Sequence, residues 1–278
     1  MISNTTSKRE TKVNHIWQTP SAAKTPVSRQ QVRTGFKSSL VPEIQNIKNE
    51  LLLSLPRETF AQLQPEMKTV SFERGQTIYD IGNSFDFVYF ANNLVASRLA
   101  LMEDGAMIEV GVIGREGLLG IAALIGANMA NNVTIAETAG TATRIKTSVL
   151  RDAFRRDFKL QTLLLGYYND FLTQISQRAA CRCRHSVAQQ LCTWLLQIHD
   201  RTQKDDLTLT QETISQRLGA RRASITVAIN NLEKNNLLVC RRGHITICNR
   251  EGLEIEACEC YSLLNNIVTS TFDSKFLQ

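Results

Sequence analysis

The chain has 278 residues, 43% hydrophobic and 21% charged, with a net charge of +6, the proportions of an ordinary globular protein with room for two domains. Its first ten residues are polar and mixed in charge, and the uncharged run from Gly117 to Val133 is broken by three glycines and three asparagines, so neither a secretory signal nor a spanning helix is expected. All seven cysteines lie at or after Cys181, which argues against a disulfide scaffold and for reduced thiols in the cytoplasm.

Charge divides the chain. Residues 1–42 hold seven Lys/Arg against one acid, 43–150 hold eight against twelve, and 207–250 hold seven against two. A basic block set apart from an acidic one suits a polyanionic partner, although a merely solvated basic surface has the same composition.

Residues 1–42 are rich in Ser, Thr, Gln and basic side chains without apolar periodicity, the signature of a disordered basic tail. Short helices are expected near 42–54 and 56–63. From 68 to 145 the texture becomes β: seven short runs, at 69–72, 77–79, 87–91, 95–101, 107–113, 133–136 and 141–145, are separated by turn residues that include Gly75, Gly82, Gly105 and Gly114. Strands this short and closely spaced predict a roll or barrel, so 43–150 is read as a β-roll domain.

Beyond Ser148 the period is helical. Phe158, Leu165, Leu172 and Ala179 recur every seven residues, with Tyr168 and Ile175 at companion positions, a seam of coiled-coil spacing. Leu160, Leu164, Tyr167 and Phe171 form a second stripe. One helix with two apolar stripes needs two surfaces, economically its own barrel and a partner chain. A helix buried inside a monomer is the alternative. The segment 151–184 is therefore assigned to homodimerisation. A further amphipathic helix is expected over 186–200, followed by a polar loop at 201–206.

The stretch 207–247 is the most informative. Thr210 can cap a helix whose first turn holds Glu212 and whose core face is Ile214 and Leu218. Gly219 ends that helix, and a second one follows from Arg222 to about Asn235 with Ile225, Ala228 or Ile229, and Leu232 inward. This is the layout of a helix-turn-helix, whose second helix presents its N-terminal residues to base edges. Two β runs, 237–241 and 244–248, joined by Arg242-Gly243, add a hairpin wing. Arg222 suits guanine and Ser224 or Thr226 a base or phosphate, while Arg241 and Arg242 suit phosphates, which position rather than specify. The expected DNA-binding set is Thr210, Gln211, Arg221, Arg222, Ser224, Thr226, Arg241 and Arg242, within a winged domain over 185–260. Residues 261–278 are read as a C-terminal tail.

The segment LTLTQETISQRLGARRASITVAINNLEKNNLL, followed by RRGHITI, resembles the DNA-binding domain of the Crp/Fnr family of bacterial regulators, and VSFERGQTIYDIGNSFDFVYFANNLVASRL resembles the start of that family's cyclic-nucleotide-type β-roll. The resemblance covers about residues 43–260. It implies an α+β architecture of jelly-roll-like sensor, long dimerisation helix and winged helix-turn-helix, acting as a homodimer on a two-fold symmetric operator in double-stranded DNA, with RNA polymerase a further candidate partner. It matches Arg222 to the family's guanine-reading arginine and Ser224 to a polar position beside it. Ala223 replaces the family's acidic residue, and Arg221 stands where a serine cap is usual, so the operator is expected to differ from the family's consensus.

The resemblance also places Leu118 where a ribose-binding Glu belongs, and Ala130-Asn131-Asn132 where a phosphate-binding Arg-Ser pair belongs. A buried phosphate without a cation is costly, so cyclic nucleotide binding by the usual mode is not expected and the ligand is left unknown. Residues 16–180 contain no Cys or His, which disfavours haem or an iron–sulfur cluster there. Cys181, Cys183, His185 and Cys192, with Cys258 and Cys260 downstream, offer thiol and imidazole, but linear spacing does not assemble four tetrahedral ligands. They are read as small buried thiols at a domain junction, with no metal and no cofactor. Four scattered histidines and the absence of Walker, HExxH or nucleophile-elbow motifs argue against an enzyme. A signalling module that uses the β-roll to bind a ligand or protein, without touching DNA, is the competing reading.

Overall fold

The computed structural model describes residues 47–270, so the expected basic tail, and residues 43–46 of the sensor region, lie outside it. Two short helices, α1 (Glu50–Leu53) and α2 (Arg57–Leu63), lead into eight strands: β1 (Lys68–Phe72), β2 (Thr77–Tyr79), β3 (Phe87–Ala91), β4 (Ala96–Leu101), β5 (Met107–Ile113), β6 (Leu118–Leu119), β7 (Val133–Ala136) and β8 (Gly140–Lys146). They form two four-stranded antiparallel sheets, ordered β1-β8-β3-β6 and β2-β7-β4-β5. Each sheet turns its apolar face inward, and Phe90, Leu94, Leu118 and Ile145 are fully buried between them. The seven expected strands are present. The eighth, β6, is two residues long, too short to show an alternating pattern in sequence.

The helix expected over 151–184 is two helices. α3 (Thr147–Arg156) ends at Asp157, which is extended and whose carboxylate caps α4 (Phe158–Arg184) by accepting from the amides of Lys159 and Leu160. Asp157 also accepts from the Thr59 hydroxyl of α2. An Asp that serves as N-cap of one helix must end the one before it. α4 then lays Leu160, Leu164, Tyr167 and Phe171 into the roll's core.

α5 (Val187–Thr202) starts at Ser186 in a capping box with Gln189. Its Leu191, Trp194, Leu195 and Ile198 nucleate a second core with Ile214, Leu218, Ile225, Ile229, Leu232, Leu238 and Ile245. These belong to α6 (Gln211–Leu218), α7 (Arg222–Lys234) and the wing strands β10 (Leu238–Arg241) and β11 (His244–Ile247). A short strand, β9 (Asp206–Thr208), pairs with β11 and makes the wing three-stranded. It straddles the boundary between the loop expected at 201–206 and the stretch that starts at Leu207, and no strand is expected there. The stretch read as a tail begins with helix: after α8 (Arg250–Glu256) comes α9 (Cys260–Ser270), which buries Tyr261 and Leu264. Among the described residues no helix is long and apolar enough to cross a membrane.

Candidate nucleic-acid interface

Thr210 caps α6, its hydroxyl accepting from the amide of Thr213 at 3.0 Å. Gly219 ends α6 at φ 62°, a left-handed conformation that a side chain strains, and α7 starts three residues later. Arg221 is the N-cap of α7 but makes no side-chain cap bond. It is exposed, as are Arg222, Ala223 and Ser224, so the N-terminal turn of α7 is open to solvent. Val227 is 60% exposed on the next turn. The wing closes through Arg242 (φ 48°) and Gly243 (φ 85°) between the paired Arg241 and His244. Two consecutive positive φ values in a two-residue loop make a type I′-like turn, which matches the twist of the flanking strands and projects Arg241 and Arg242 into solvent.

Three of the eight expected contacts, Thr210, Gln211 and Thr226, are engaged within the domain. The Thr226 hydroxyl donates to Gln211 Oε1 at 2.9 Å and to the Arg222 carbonyl at 3.1 Å. Thr226 and Gln211 therefore tie α7 to α6, which fixes the angle at which α7 is offered, and Thr210 is occupied as a cap. The open donors of this face are Arg221, Arg222, Arg241 and Arg242, with Ser224 beside them.

Sequence reasoning missed the fate of the other arginines. Arg217, in the middle of the basic block, is 6% exposed and donates to Glu137 of the roll at 2.9 Å. Arg201 of α5 donates to Glu116 at 2.8 Å, and Arg178 of α4 to Glu109 at 2.7 Å. Glu109 is wholly buried and also accepts from Trp194 Nε1 at 2.9 Å and from Ser97 at 2.6 Å. Arg182 bridges the backbone carbonyls of Glu109 and Arg217. Part of the charge division along the chain is thus spent inside the fold, where acids of the roll meet arginines of α4, α5 and α6. Burial pulls the Arg178 guanidinium down from its ordinary range, and the Glu109 carboxylate works against that.

The seam of α4 divides as well. Phe158 is 78% exposed, Leu165 42% and Leu172 43%, and Ala179 is exposed one period on. Tyr168 and Ile175 are half-buried against the roll's own core.

Inside the roll, Leu118 is buried in β6 and accepts, through its carbonyl, the Tyr167 hydroxyl at 3.2 Å. Ala130 is buried too. A cation from another strand borders this space. Arg98 of β4 lines it, donating to Asn132 Oδ1 through Nε at 3.0 Å and Nη2 at 2.8 Å, and to Asn131 Oδ1 at 3.1 Å. An arginine within an otherwise apolar strand was the available signal. With Arg98, Phe171 and Leu118 in place the remaining cavity is about 30 Å³, against the several hundred Å³ usual for a small-molecule pocket.

Of the thiol and imidazole residues, Cys181, His185, Cys258 and Cys260 converge, their ligand atoms all within 4.8 Å of one another. Cys183 is exposed, and Cys192 packs in the core of α5.

An antiparallel β-roll, a long helix and a winged helix-turn-helix follow one another in that order along the chain. Residues 189–255 match the Crp-like helix-turn-helix domain. The fold is shared with FixK2 from Bradyrhizobium japonicum, 17% identical over 69% of this chain and 98% of that one, with a TM-score of 0.59. A CRP-family transcriptional regulator from Thermus thermophilus is 18% identical, covering 68% of this chain and 96% of its own, with a TM-score of 0.58. A CooA mutant from Carboxydothermus hydrogenoformans is 12% identical over 77% and 97%, with a TM-score of 0.52. No curated protein sequence matches. The chain carries a Crp-like helix-turn-helix domain in the fold of the Crp/Fnr regulators, and DNA-binding transcription regulation is the class of function these findings support.

Proposed function

We propose that the protein is a sequence-specific transcription regulator that binds double-stranded DNA as a homodimer and acts by binding, not catalysis. The observation that carries the reading is the pair of solvent-facing arginine clusters, Arg221-Arg222 at the start of α7 and Arg241-Arg242 at the wing tip, on a domain whose other central arginine, Arg217, is sequestered. Arg222 and Ser224 enter the major groove, where an arginine can grip guanine O6 and N7. Arg221, Arg241 and Arg242 hold the backbone. Thr210, Gln211 and Thr226 brace the two helices from within.

Phe158, Leu165, Leu172 and Ala179 meet their own copies across a two-fold axis, with Tyr168 and Ile175 at the edge of that contact. An exposed apolar stripe at seven-residue spacing on a 27-residue helix is what such an interface requires. A two-fold dimer calls for a symmetric operator with half-sites about one helical turn apart. The bound dimer would act on RNA polymerase in the cytoplasm. The roll does not take a cyclic nucleotide in the usual manner, because Leu118 and Arg98 occupy the space and Asn131 and Asn132 already engage the guanidinium.

The deciding experiment is genome-wide capture of bound DNA from cells expressing the full chain, followed by motif extraction. A palindromic motif is expected, with centres roughly 10–10.5 base pairs apart or a multiple of that. DNA recovered at background level even at low salt would sink the regulator reading in favour of a module that signals without DNA.

A further inference from the structure

Four side chains left aside by the DNA-binding reading meet where the end of α4 touches the start of α9. Cys181 and His185 lie four residues apart on the last turn of α4, His185 being its C-cap. Cys258 sits in the turn after α8, and Cys260 is the first residue of α9. The sulfurs of Cys181 and Cys258 are 3.5 Å apart, and Cys260 Sγ is 3.5 Å from His185 Nδ1. In a tetrahedral zinc site with metal–sulfur bonds of about 2.3 Å and metal–nitrogen bonds of about 2.0–2.1 Å, the edges of the tetrahedron are roughly 3.8 Å for S···S and 3.5 Å for S···N. The observed separations are of that size, and they join two segments about 75 residues apart in sequence.

The surroundings are those of a ligand set rather than of packed thiols. His185 turns Nδ1 to the cluster and Nε2 to the Glu259 carboxylate, 3.1 Å away, the carboxylate–histidine arrangement that fixes tautomer and ring plane in metal sites. Gln177 Nε2 lies 3.1 Å from Cys260 Sγ, and the Thr193 hydroxyl 3.2 Å from Cys258 Sγ. Both can donate to a thiolate, which three thiols packed as small hydrophobes would not need. The His185 carbonyl accepts from Gln190 Nε2 at 2.8 Å, holding the α4–α5 corner in place. The three cysteines are buried, and Leu264 and Ile267 cover them.

We propose that Cys181, His185, Cys258 and Cys260 form a structural site for one zinc ion per chain. Three thiolates and a neutral imidazole are a closed, soft set that suits zinc and leaves no position for substrate. Binding releases the thiol protons to solvent and involves no redox change. The ion pins the C-terminal end of α4 to the α8–α9 segment that follows the wing, so it sets how rigidly the DNA-binding domain is attached to α4. The inference is independent of the DNA-binding reading, because it concerns metal occupancy alone.

The test uses the full chain, purified under reducing conditions, with metal content by mass spectrometry and titration with Zn²⁺ and Co²⁺ against a competing chelator. One zinc per chain is expected. The Co²⁺ form should show sulfur-to-cobalt charge transfer and tetrahedral d–d absorption. Cys258→Ser should lose at least a hundredfold in affinity, whereas Cys183→Ser, outside the cluster, should bind as the parent does. Since Cys258→Ser could disturb folding, Glu259→Gln provides a surface variant. It should keep the parental circular dichroism and weaken zinc by roughly tenfold or more, the usual effect of removing such an outer carboxylate. The proposal is overturned by a folded protein that takes up neither ion, by a Co²⁺ spectrum without thiolate bands, by unchanged affinity in Cys258→Ser and Glu259→Gln, by iron held in place of zinc, or by a Cys181–Cys258 disulfide as the resident state.

Discussion

Arg217 and Arg222 lie five residues apart, one on each side of the helix-turn-helix corner, and they have opposite fates. Arg217 points back into the molecule and is held by Glu137 of the roll, while Arg222 is exposed on the first turn of α7, its backbone carbonyl accepting from the Thr226 hydroxyl. In a count of charges the two are identical. The difference shows that a basic stretch opposite an acidic one divides on folding: part of it fastens the helix-turn-helix domain to the roll, and part stays exposed to solvent. The same division runs along α4, where Leu164 is fully buried against the roll and its neighbour Leu165 is 42% exposed.

The strongest way to break the comparison is to remove the inner arginine. Arg217→Ala leaves Glu137 buried without its partner, and truncating one member of a buried pair typically costs about 3–5 kcal/mol. Chemical denaturation should show a loss of that order. Replacing both partners, as Arg217→Met with Glu137→Gln, should recover much of it. A fully stable Arg217→Ala protein would mean that the pair is solvated and that the contrast with Arg222 is unreal.

Next comes the contrast on α4. Leu164→Ala empties a site in the roll's core and should cost roughly 2–5 kcal/mol of stability, with the oligomeric state unchanged. Leu165→Asp together with Leu172→Asp should do the reverse. The chain stays folded by circular dichroism but sediments as a monomer, because two charges would face their own copies in an apolar seam. A dimer that survives both aspartates would move the interface off this face.

A smaller effect, confined to DNA, is expected from Arg222→Ala. Thermal stability should stay within about 0.5 kcal/mol of the parent, as for exposed positions generally. Operator affinity should fall by about 1–3 kcal/mol per half-site, with specificity relaxed at a single base position. Equal weakening on operator and random DNA would make Arg222 a phosphate contact and displace α7 from the groove.

The smallest expected change belongs to the wing. Arg242→Ala should weaken all DNA sequences alike and reduce the slope of log affinity against log salt by roughly one unit for each phosphate no longer neutralised, readable in anisotropy titrations over a range of salt. A sequence-selective loss would instead place the wing at base edges.

Much of this protein is legible residue by residue. The strands of the roll follow from β-rich runs between turn glycines. The helices α5, α6 and α7 follow from apolar spacing, from the caps Ser186 and Thr210, and from Gly219. The wing follows from two β runs around Arg242-Gly243. One α4 stripe, Leu160, Leu164, Tyr167 and Phe171, follows from its spacing and packs on the roll. These are local matters, because hydrogen bonding within a helix or turn and the period of an amphipathic face are settled among near neighbours. The break at Asp157 is equally local, set by its role as N-cap of α4.

What the linear order does not contain is which distant groups become neighbours. Glu109, Glu116 and Glu137 look like surface acids of a β domain, yet each is buried against an arginine more than sixty residues away. Arg98 looks like one basic residue in a strand, yet it borders the roll's cavity and is gripped by Asn131 and Asn132. Cys181 and Cys258 are 77 positions apart and in contact. A buried charge or thiol is acceptable only where its partners have been brought to it, and that is a property of packed layers. The elements, their order and the two faces of α4 are therefore written in the order of residues. Packing alone selects which arginines are exposed and which are buried against the acids of the roll, and that Cys181, His185, Cys258 and Cys260 converge.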